Sequence, residues 1–161
     1  MNKVFFKSSS HFFKKANKVF QEQKARINKS LPYADIQHIG STSIPESVTK
    51  GDLDIAVRVP VDKFNLAIEV MKNIYDVNQP DNWAENFASF KDEKSLGIDF
   101  GAQLVIINSS SDDFVKLNEV LRSDPNLITK YNKMKLKYEG KSMDEYRKEK
   151  AAFFQKLRET L

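Results

Sequence analysis

Two aspartates, Asp52 and Asp54, are separated by a single residue in the run DLDIAVRV, residues 52–59. Apolar residues fill every second position from Leu53 onward, which predicts a β-strand because successive strand side chains point to opposite faces. One face of this strand is suited to a hydrophobic core. The other face carries Asp52, Asp54, Ala56 and Arg58, and we expect it to be accessible.

The aspartate pair also predicts a metal site. Two carboxylates side by side repel each other, and each raises the pKa of the other unless a cation lies between them. A set of oxygen ligands favours Mg²⁺ or Mn²⁺ among the metals that proteins bind. We therefore expect Asp52 and Asp54 to hold a divalent cation, Mg²⁺ (or Mn²⁺), as cofactor.

The order of helix and strand patterns predicts the fold class. Helical spacing of apolar residues indicates helices before residue 31, over about 62–74 and from residue 111 to the end, whereas strands are predicted over 34–39, 86–91 and 96–107. This order predicts an α/β (α+β) fold with a small mixed β-sheet flanked by helices and a helical C-terminal half. We expect one domain over 1–161, with a sheet-bearing core over about 10–108 and C-terminal helices over about 111–161.

Local signals refine this order. We expect Asp62 to cap the second helix, Asp124 and Ser142 to cap two C-terminal helices, and one helical turn over 44–48. In the last long strand, either Gly97 or Gly101 is expected to mark a bulge or a bend.

Composition limits the class of protein. The chain contains no cysteine, which excludes disulfides, thiolate metal sites and a cysteine nucleophile. No apolar run approaches the roughly 18 residues of a membrane-spanning helix, and no signal peptide is visible. We expect a soluble cytoplasmic protein with no membrane partner.

Charge is unevenly distributed along the chain. Residues 1–30 contain eight Lys or Arg and one acid, residues 52–99 contain ten acids and five basic residues, and residues 129–150 contain eight basic residues and four acids. Basic ends around an acidic middle suit an anionic ligand such as a nucleotide or RNA. The alternative is that these charges only solvate helix faces.

Several motifs together resemble one known family. They are His38-Ile-Gly-Ser-Thr-Ser-Ile-Pro45, Lys50, the pair Asp52-Leu-Asp54, and two Tyr-x-x-x-Lys pairs, Tyr131 with Lys135 and Tyr146 with Lys150. The chain resembles the GrpB family, a branch of the nucleotidyltransferase (polymerase β-like) fold superfamily. The signature of that superfamily is a Gly-Ser turn, then a short helix, then two acids on a strand with one residue between them.

The resemblance implies a magnesium-dependent nucleotidyltransferase. Such an enzyme moves a nucleoside monophosphate from a nucleoside triphosphate to an acceptor, here an unknown small molecule, protein or RNA. Asp52 and Asp54 would be the catalytic metal ligands. A third carboxylate usually completes the site, and Asp99 is our candidate because it lies between two apolar residues in a strand-like run. The alternative for Asp99 is a solvent-facing carboxylate at a hairpin edge.

The resemblance also implies phosphate binding at the Gly-Ser turn. Gly40, Ser41 and Ser43 are the candidates, since glycine permits close backbone approach and N–H groups at a helix start bind phosphate oxygens. The alternative is an ordinary strand-to-helix turn. Lys135 and Lys150 are expected to bring positive charge to the phosphates, although each could instead be a solvated lysine beside a core tyrosine.

Departures from the family pattern keep other functions open. Many members have His-x-His where this chain has Gln103 and Val105, and an arginine where it has Asn118. The second hypothesis is therefore a non-catalytic nucleotide- or metal-binding module that assists a partner protein. A third is an RNA-binding domain that uses the basic terminal helices.

Overall fold

The computed structural model describes residues 2–93 and 95–161. In this part of the chain the helices are α1 (Ser9–Ser30), α2 (Phe64–Ile74), α3 (Phe114–Ser123), α4 (Pro125–Leu136) and α5 (Met143–Arg158). The strands are β1 (Lys7–Ser8), β2 (Asp35–Ile39), β3 (Val48–Thr49), β4 (Leu53–Val59), β5 (Asp76–Val77), β6 (Phe87–Asp92) and β7 (Phe100–Ile106). The predicted α/β (α+β) fold with a helical C-terminal half is confirmed.

One mixed sheet organises the fold. Its strand order is β2-β4-β7-β6-β5, and a separate two-stranded ribbon pairs β1 with β3. Strands β4 and β7 are parallel, with Asp54 opposite Gly101. The other neighbours in the main sheet are antiparallel. The register of β4 with β7 therefore places Asp54 beside the last long strand.

The predicted apolar face of β4 lies in the main core. Its four apolar residues from Leu53 to Val59 are all 0 % exposed and pack with residues of α1 and α2, such as Ile27 and Met71. Burial of a side chain of this size stabilises the fold by about 1.5–3 kcal/mol. The period-two pattern of the sequence is confirmed here.

The opposite face of β4 is more enclosed than expected. Ala56 is also 0 % exposed, so the prediction of an accessible face was wrong at this position. Farther along the same face, Arg58 donates from Nε and Nη2 to the two carboxylate oxygens of Asp112, at 2.7 and 2.8 Å. The segment before α3 thus covers one end of this face, and the C-terminal helices extend over it.

A second core joins the two ends of the chain. Val4 and Phe6 pack with Leu117 of α3 and with Tyr131 and Tyr146 of α4 and α5. The N–H of Val4 donates to the carbonyl of Lys141 at 3.0 Å. The N-terminal segment is therefore part of the C-terminal helical layer.

Two caps follow the sequence prediction. The Asp124 side chain accepts hydrogen bonds from the N–H groups of Asn126 and Leu127, and Ser142 accepts one from the N–H of Glu145. The cap predicted for the second helix was wrong. Helix α2 follows a 3₁₀ turn and has no side-chain cap from Asp62.

The region after the Gly-Ser turn also differs from the prediction. The 3₁₀ turn lies at Ser41–Ser43 rather than over 44–48, and Val48–Thr49 forms β3. This strand pairs with Lys7–Ser8, a distant partner that local sequence does not reveal. Gly101 keeps a regular register with both neighbouring strands, so it is not a bulge.

No helix within the described part of the chain is long and apolar enough to cross a membrane.

Candidate functional site

The Gly-Ser turn connects β2 to a short 3₁₀ turn at Ser41–Ser43. Gly40 has φ +77°, a left-handed conformation that favours glycine. A Cβ atom at Gly40 would lie only 2.8 Å from Oδ2 of Asp54. Glycine is therefore needed here both for the turn and for the close approach of the Asp54 carboxylate.

Side chains within the turn are tied to its backbone and to β4. Ser43 Oγ donates to the carbonyl of Gly40 at 2.6 Å, and the amide of Asn118 on α3 lies within hydrogen-bond distance of the same hydroxyl. Thr42 Oγ1 donates to the carbonyl of Asp52 at 3.0 Å and contacts His38 Nε2 at 2.9 Å. The turn is thereby fixed against the strand that carries the aspartates.

His38 holds the Gly-Ser turn in place and is not a charged group of the site. Its ring stacks on Phe20, with centroids 5.4 Å apart, and bonds to Thr42. Burial first, and then the positive charge of Arg122, lowers the pKa of His38 to about 4. The ring is therefore neutral at pH 7, and it does not supply charge to the site.

Lys135 holds the Gly-Ser turn against β3. Its side chain is 0 % exposed, and its Nζ donates to Ser41 Oγ and, at 2.6 Å, to the carbonyl of Val48. The ammonium also lies 3.9 Å from the ring centroid of Tyr131. Burial, followed by the charge of Lys150, holds the pKa of Lys135 well below its usual range. This lysine clamps Ser41 to β3 and does not line the cavity described below.

Asp54 lies between two glycines. Its Oδ2 atom faces Gly40, and its Oδ1 atom faces Gly101 on β7, where a Cβ atom would lie 2.9 Å away. Because the backbone at Gly101 is regular strand, the absence of a side chain there serves the space of the Asp54 carboxylate. The sequence prediction named Gly101 only as one of two candidates, with Gly97, for a bulge or bend, and it missed this role.

The two aspartates have opposite electrostatic environments. Burial raises the pKa of Asp52, but Lys50 and Lys150 outweigh it, so the net pKa is lowered. For Asp54, burial and then the charge of Asp52 raise the pKa to about 7, against the opposing influence of Lys150 and Lys50. The pair therefore shares one firmly ionised carboxylate and one that titrates near neutrality.

Two lysines face this pair. Lys50 Nζ donates to Asp52 Oδ2 at 3.0 Å. The pKa of Lys150 on α5 is raised, by Tyr131 first and then, against the cost of burial, by Tyr146 and both aspartates. Lys150 thus lies near the aspartates, whereas its predicted role at the phosphates of a ligand stays a prediction. The structure also adds Lys50, for which the sequence offered only the family pattern.

Asp99 does not join the pair. It is exposed, one residue before β7 begins, and its carbonyl accepts a hydrogen bond from the N–H of Leu53 at 2.8 Å. Across residues 2–93 and 95–161, no three Asp, Glu, His or Cys side chains lie close enough together to hold a metal ion. Among the described residues the expected third carboxylate is therefore missing from this arrangement, and the residue of β7 opposite Asp54 is Gly101.

A cavity of about 380 Å³ opens beside the aspartates, between the sheet and the C-terminal helices. Asp54 and Gln103 form its floor, and Gly40 and Ser41 form one side. The facing helices contribute apolar side chains, including Phe114, Leu117 and Phe154, and the cations Arg147, Lys150 and Arg158. Arg158 is already paired with Asp113 at 2.7 Å. With Arg147 and Lys150 against one carboxylate, the lining still suits an anionic ligand that also carries an apolar or aromatic group.

The fold places the chain in a structural class. The structure superposes on Cid1 poly(U) polymerase with MgGTP bound at a TM-score of 0.54, with 17% identity, covering 81% of this chain and 42% of that chain. A Cid1 structure with Mg 3'-dATP bound gives a TM-score of 0.56 and 18% identity, covering 81% of this chain and 41% of that chain. The protein therefore has a nucleotidyltransferase-like fold, as predicted.

The chain belongs to the GrpB family, whose model, described as GrpB protein, matches residues 13–160. UPF0157 protein VC_A0354 of Vibrio cholerae serotype O1 is 32% identical over 156 residues, which cover 97% of this chain and 82% of that protein. The crystal structure of conserved protein GrpB from Enterococcus faecalis matches with a TM-score of 0.72 and 20% identity, covering 90% of this chain and 91% of that chain. The resemblance seen in the sequence is confirmed.

Proposed function

We propose that this protein binds a nucleoside triphosphate together with a divalent cation in the cavity, and transfers the nucleoside monophosphate to an acceptor. The Asp54 carboxylate carries this proposal. It lies between two glycines on the cavity floor, beside Asp52, and burial next to that charge raises its pKa to about 7. A carboxylate pair of this kind is stabilised by a cation.

The donor atoms fit a hard divalent cation such as Mg²⁺ or Mn²⁺. The pair offers carboxylate oxygens only, and the cavity lining contains no histidine or cysteine. Asp52 and Asp54 would hold the ion. When bound, the ion supplies neutralisation of the phosphates and activation of the acceptor hydroxyl.

The remaining residues would bind and orient the nucleotide. The N–H groups of Ser41 and Thr42 begin a 3₁₀ turn and so have no acceptor within it, which suits phosphate oxygens. Lys150 lies on the cavity wall and adds positive charge. Phe114 and Phe154 offer an apolar wall for the nucleoside. Ser43 and Lys135 would act indirectly, because both are buried and hold the turn.

A second candidate function is a nucleotide- or metal-binding module without catalysis, which assists a partner protein. The observation in its favour is the position of Asp99, which is exposed and leaves the pair without a third carboxylate in the part of the chain that the structure describes. Two carboxylates can hold a cation and a nucleotide, whereas phosphoryl transfer is usually supported by three.

The test combines binding with turnover. Melting temperatures are measured for the wild type and for Asp52→Asn/Asp54→Asn with each of the four nucleoside triphosphates, with and without Mg²⁺. A ligand at 100 times its Kd stabilises the native state by about 2.7 kcal/mol. We expect a magnesium-dependent rise in the wild type alone.

Pyrophosphate release with small-molecule, protein and RNA acceptors then separates the two functions. Release that requires both aspartates supports the transferase. Binding without release for any acceptor supports the module. No magnesium-dependent rise with any nucleotide contradicts both.

A further inference from the structure

Lys50 occupies a fixed position at the edge of the candidate site. It lies between β3 and β4, and its Nζ donates to Asp52 Oδ2 at 3.0 Å, with both side chains partly exposed. Strand β3 is itself held firmly, since the N–H of Val48 donates to Asn132 Oδ1 at 2.9 Å and the carbonyl of Val48 accepts from Lys135. The ion pair is therefore set by the fold and is not formed by a free surface lysine.

The charges near the two carboxylates are already balanced. Lys50 and Lys150 each act on both Asp52 and Asp54. A divalent cation that arrives alone meets two ammonium groups at the carboxylates it would bind, and like charges at such distances repel. A nucleoside triphosphate changes this balance because its phosphates can bind the ammonium groups while the cation binds the carboxylates.

We propose that Lys50 is an internal counter-ion of Asp52, which a divalent cation displaces only together with the phosphates of a nucleotide. This inference rests on the proposed function. The cation and the nucleotide then bind with positive coupling, and each makes the binding of the other more favourable by the same factor. Lys50 changes partner, from the Asp52 carboxylate to a phosphate oxygen.

The experiment measures Mn²⁺ affinity by electron paramagnetic resonance without nucleotide, at pH 7.5. The variants are Lys50→Met, Lys50→Arg and Lys72→Met. Lys72 pairs with Glu69 at 3.5 Å on α2, which packs against the opposite face of the sheet, so its variant loses the same charge and an ion pair elsewhere. Urea midpoints confirm that each variant is folded.

We expect Lys50→Met to bind Mn²⁺ about tenfold more tightly than the wild type, because a repelling cation has been removed. Lys50→Arg and Lys72→Met should bind Mn²⁺ like the wild type. Equal or weaker Mn²⁺ binding by Lys50→Met would overturn the proposal. If that variant does not fold, a tighter Mn²⁺ affinity in Lys50→Arg contradicts it, since the charge is retained.

Binding of α,β-methylene-ATP by equilibrium dialysis, with and without Mn²⁺, tests the coupling. In the wild type Mn²⁺ should raise the affinity for the nucleotide, and Lys50→Met should reduce that gain. A coupling unchanged in Lys50→Met overturns the change of partner. Absence of nucleotide binding in the wild type would contradict the proposed function, whereas the Mn²⁺ experiment without nucleotide still decides whether Lys50 acts as a counter-ion.

Discussion

Replacing Asp54 by Asn should stabilise the metal-free protein at alkaline pH. Burial beside Asp52 raises the pKa of Asp54 from its ordinary value of 3.8 to about 7. The folded state therefore holds a proton that the unfolded state has already released, and the stability falls as pH rises from about 4 to 7. Asparagine keeps the shape of the side chain between the glycines but never ionises.

The size of the effect follows from the shift. At about 1.36 kcal/mol for each pKa unit, the raised pKa of Asp54 lowers the stability by about 2 kcal/mol at pH 5, where the folded state still holds the proton, and by about 4 kcal/mol at pH 8, where Asp54 is ionised. The shift already includes the attraction to Lys50 and Lys150. The advantage of Asp54→Asn over the wild type should thus grow by about 2–3 kcal/mol between these pH values.

Urea unfolding at pH 5 and pH 8 in the presence of EDTA measures this difference. Asp76→Asn is the control, because Asp76 lies exposed on edge strand β5. The stability of that variant should follow the wild type at both pH values. Parallel pH profiles for Asp54→Asn and the wild type would refute the reasoning that burial beside Asp52 raises the pKa of Asp54.

Three other variants test the supports of the site. Gly101→Ala should displace the Asp54 carboxylate and cost about 1–3 kcal/mol in urea unfolding, and the second change Asp54→Ala should recover most of that loss; a variant as stable as the wild type contradicts the close approach. Lys135→Met should lower the free energy of unfolding by about 1–3 kcal/mol, because it leaves Ser41 Oγ and the carbonyl of Val48 without their donor. It should also weaken magnesium-dependent nucleotide binding. Unchanged nucleotide affinity in a destabilised protein would show that this lysine serves only the stability of the fold. His38→Gln should remove a loss of about 2 kcal/mol that the wild type suffers from pH 7 to pH 5, since a histidine with a pKa lowered to about 4 must stay neutral in the fold; an unchanged pH slope refutes this.

The sequence predicted the fold where the signal was local or periodic. The alternation over β4 identified both the strand and its core face, and the Asp124 and Ser142 caps identified two helix starts. It missed β1 and β3, because the two residues of each strand are stabilised by pairing with a segment far away in the chain. It also expected an open face around the aspartates, where the C-terminal helices instead enclose a cavity.

At the candidate site too, sequence reasoning found what neighbouring residues determine and missed what distant residues determine. The pairing of Asp52 with Asp54 and the position of the Gly-Ser turn follow from neighbouring residues, so sequence reasoning found them. The role of Gly101 depends on the register between β4 and β7, which brings it opposite Asp54. The exposure of Asp99 depends on where β7 begins, at Phe100. No local sequence pattern shows whether Asp99 lies inside this strand or just before it.

Anomalous diffraction from a crystal grown with Mn²⁺ and α,β-methylene-ATP would locate both ligands in one measurement. We predict a manganese peak in contact with the carboxylates of Asp52 and Asp54, with phosphates at Gly40 and Ser41 and the nucleoside against the apolar wall of the cavity. Manganese bound elsewhere, or a nucleotide outside the cavity, would contradict the proposal that these two aspartates form a nucleotide-dependent metal site.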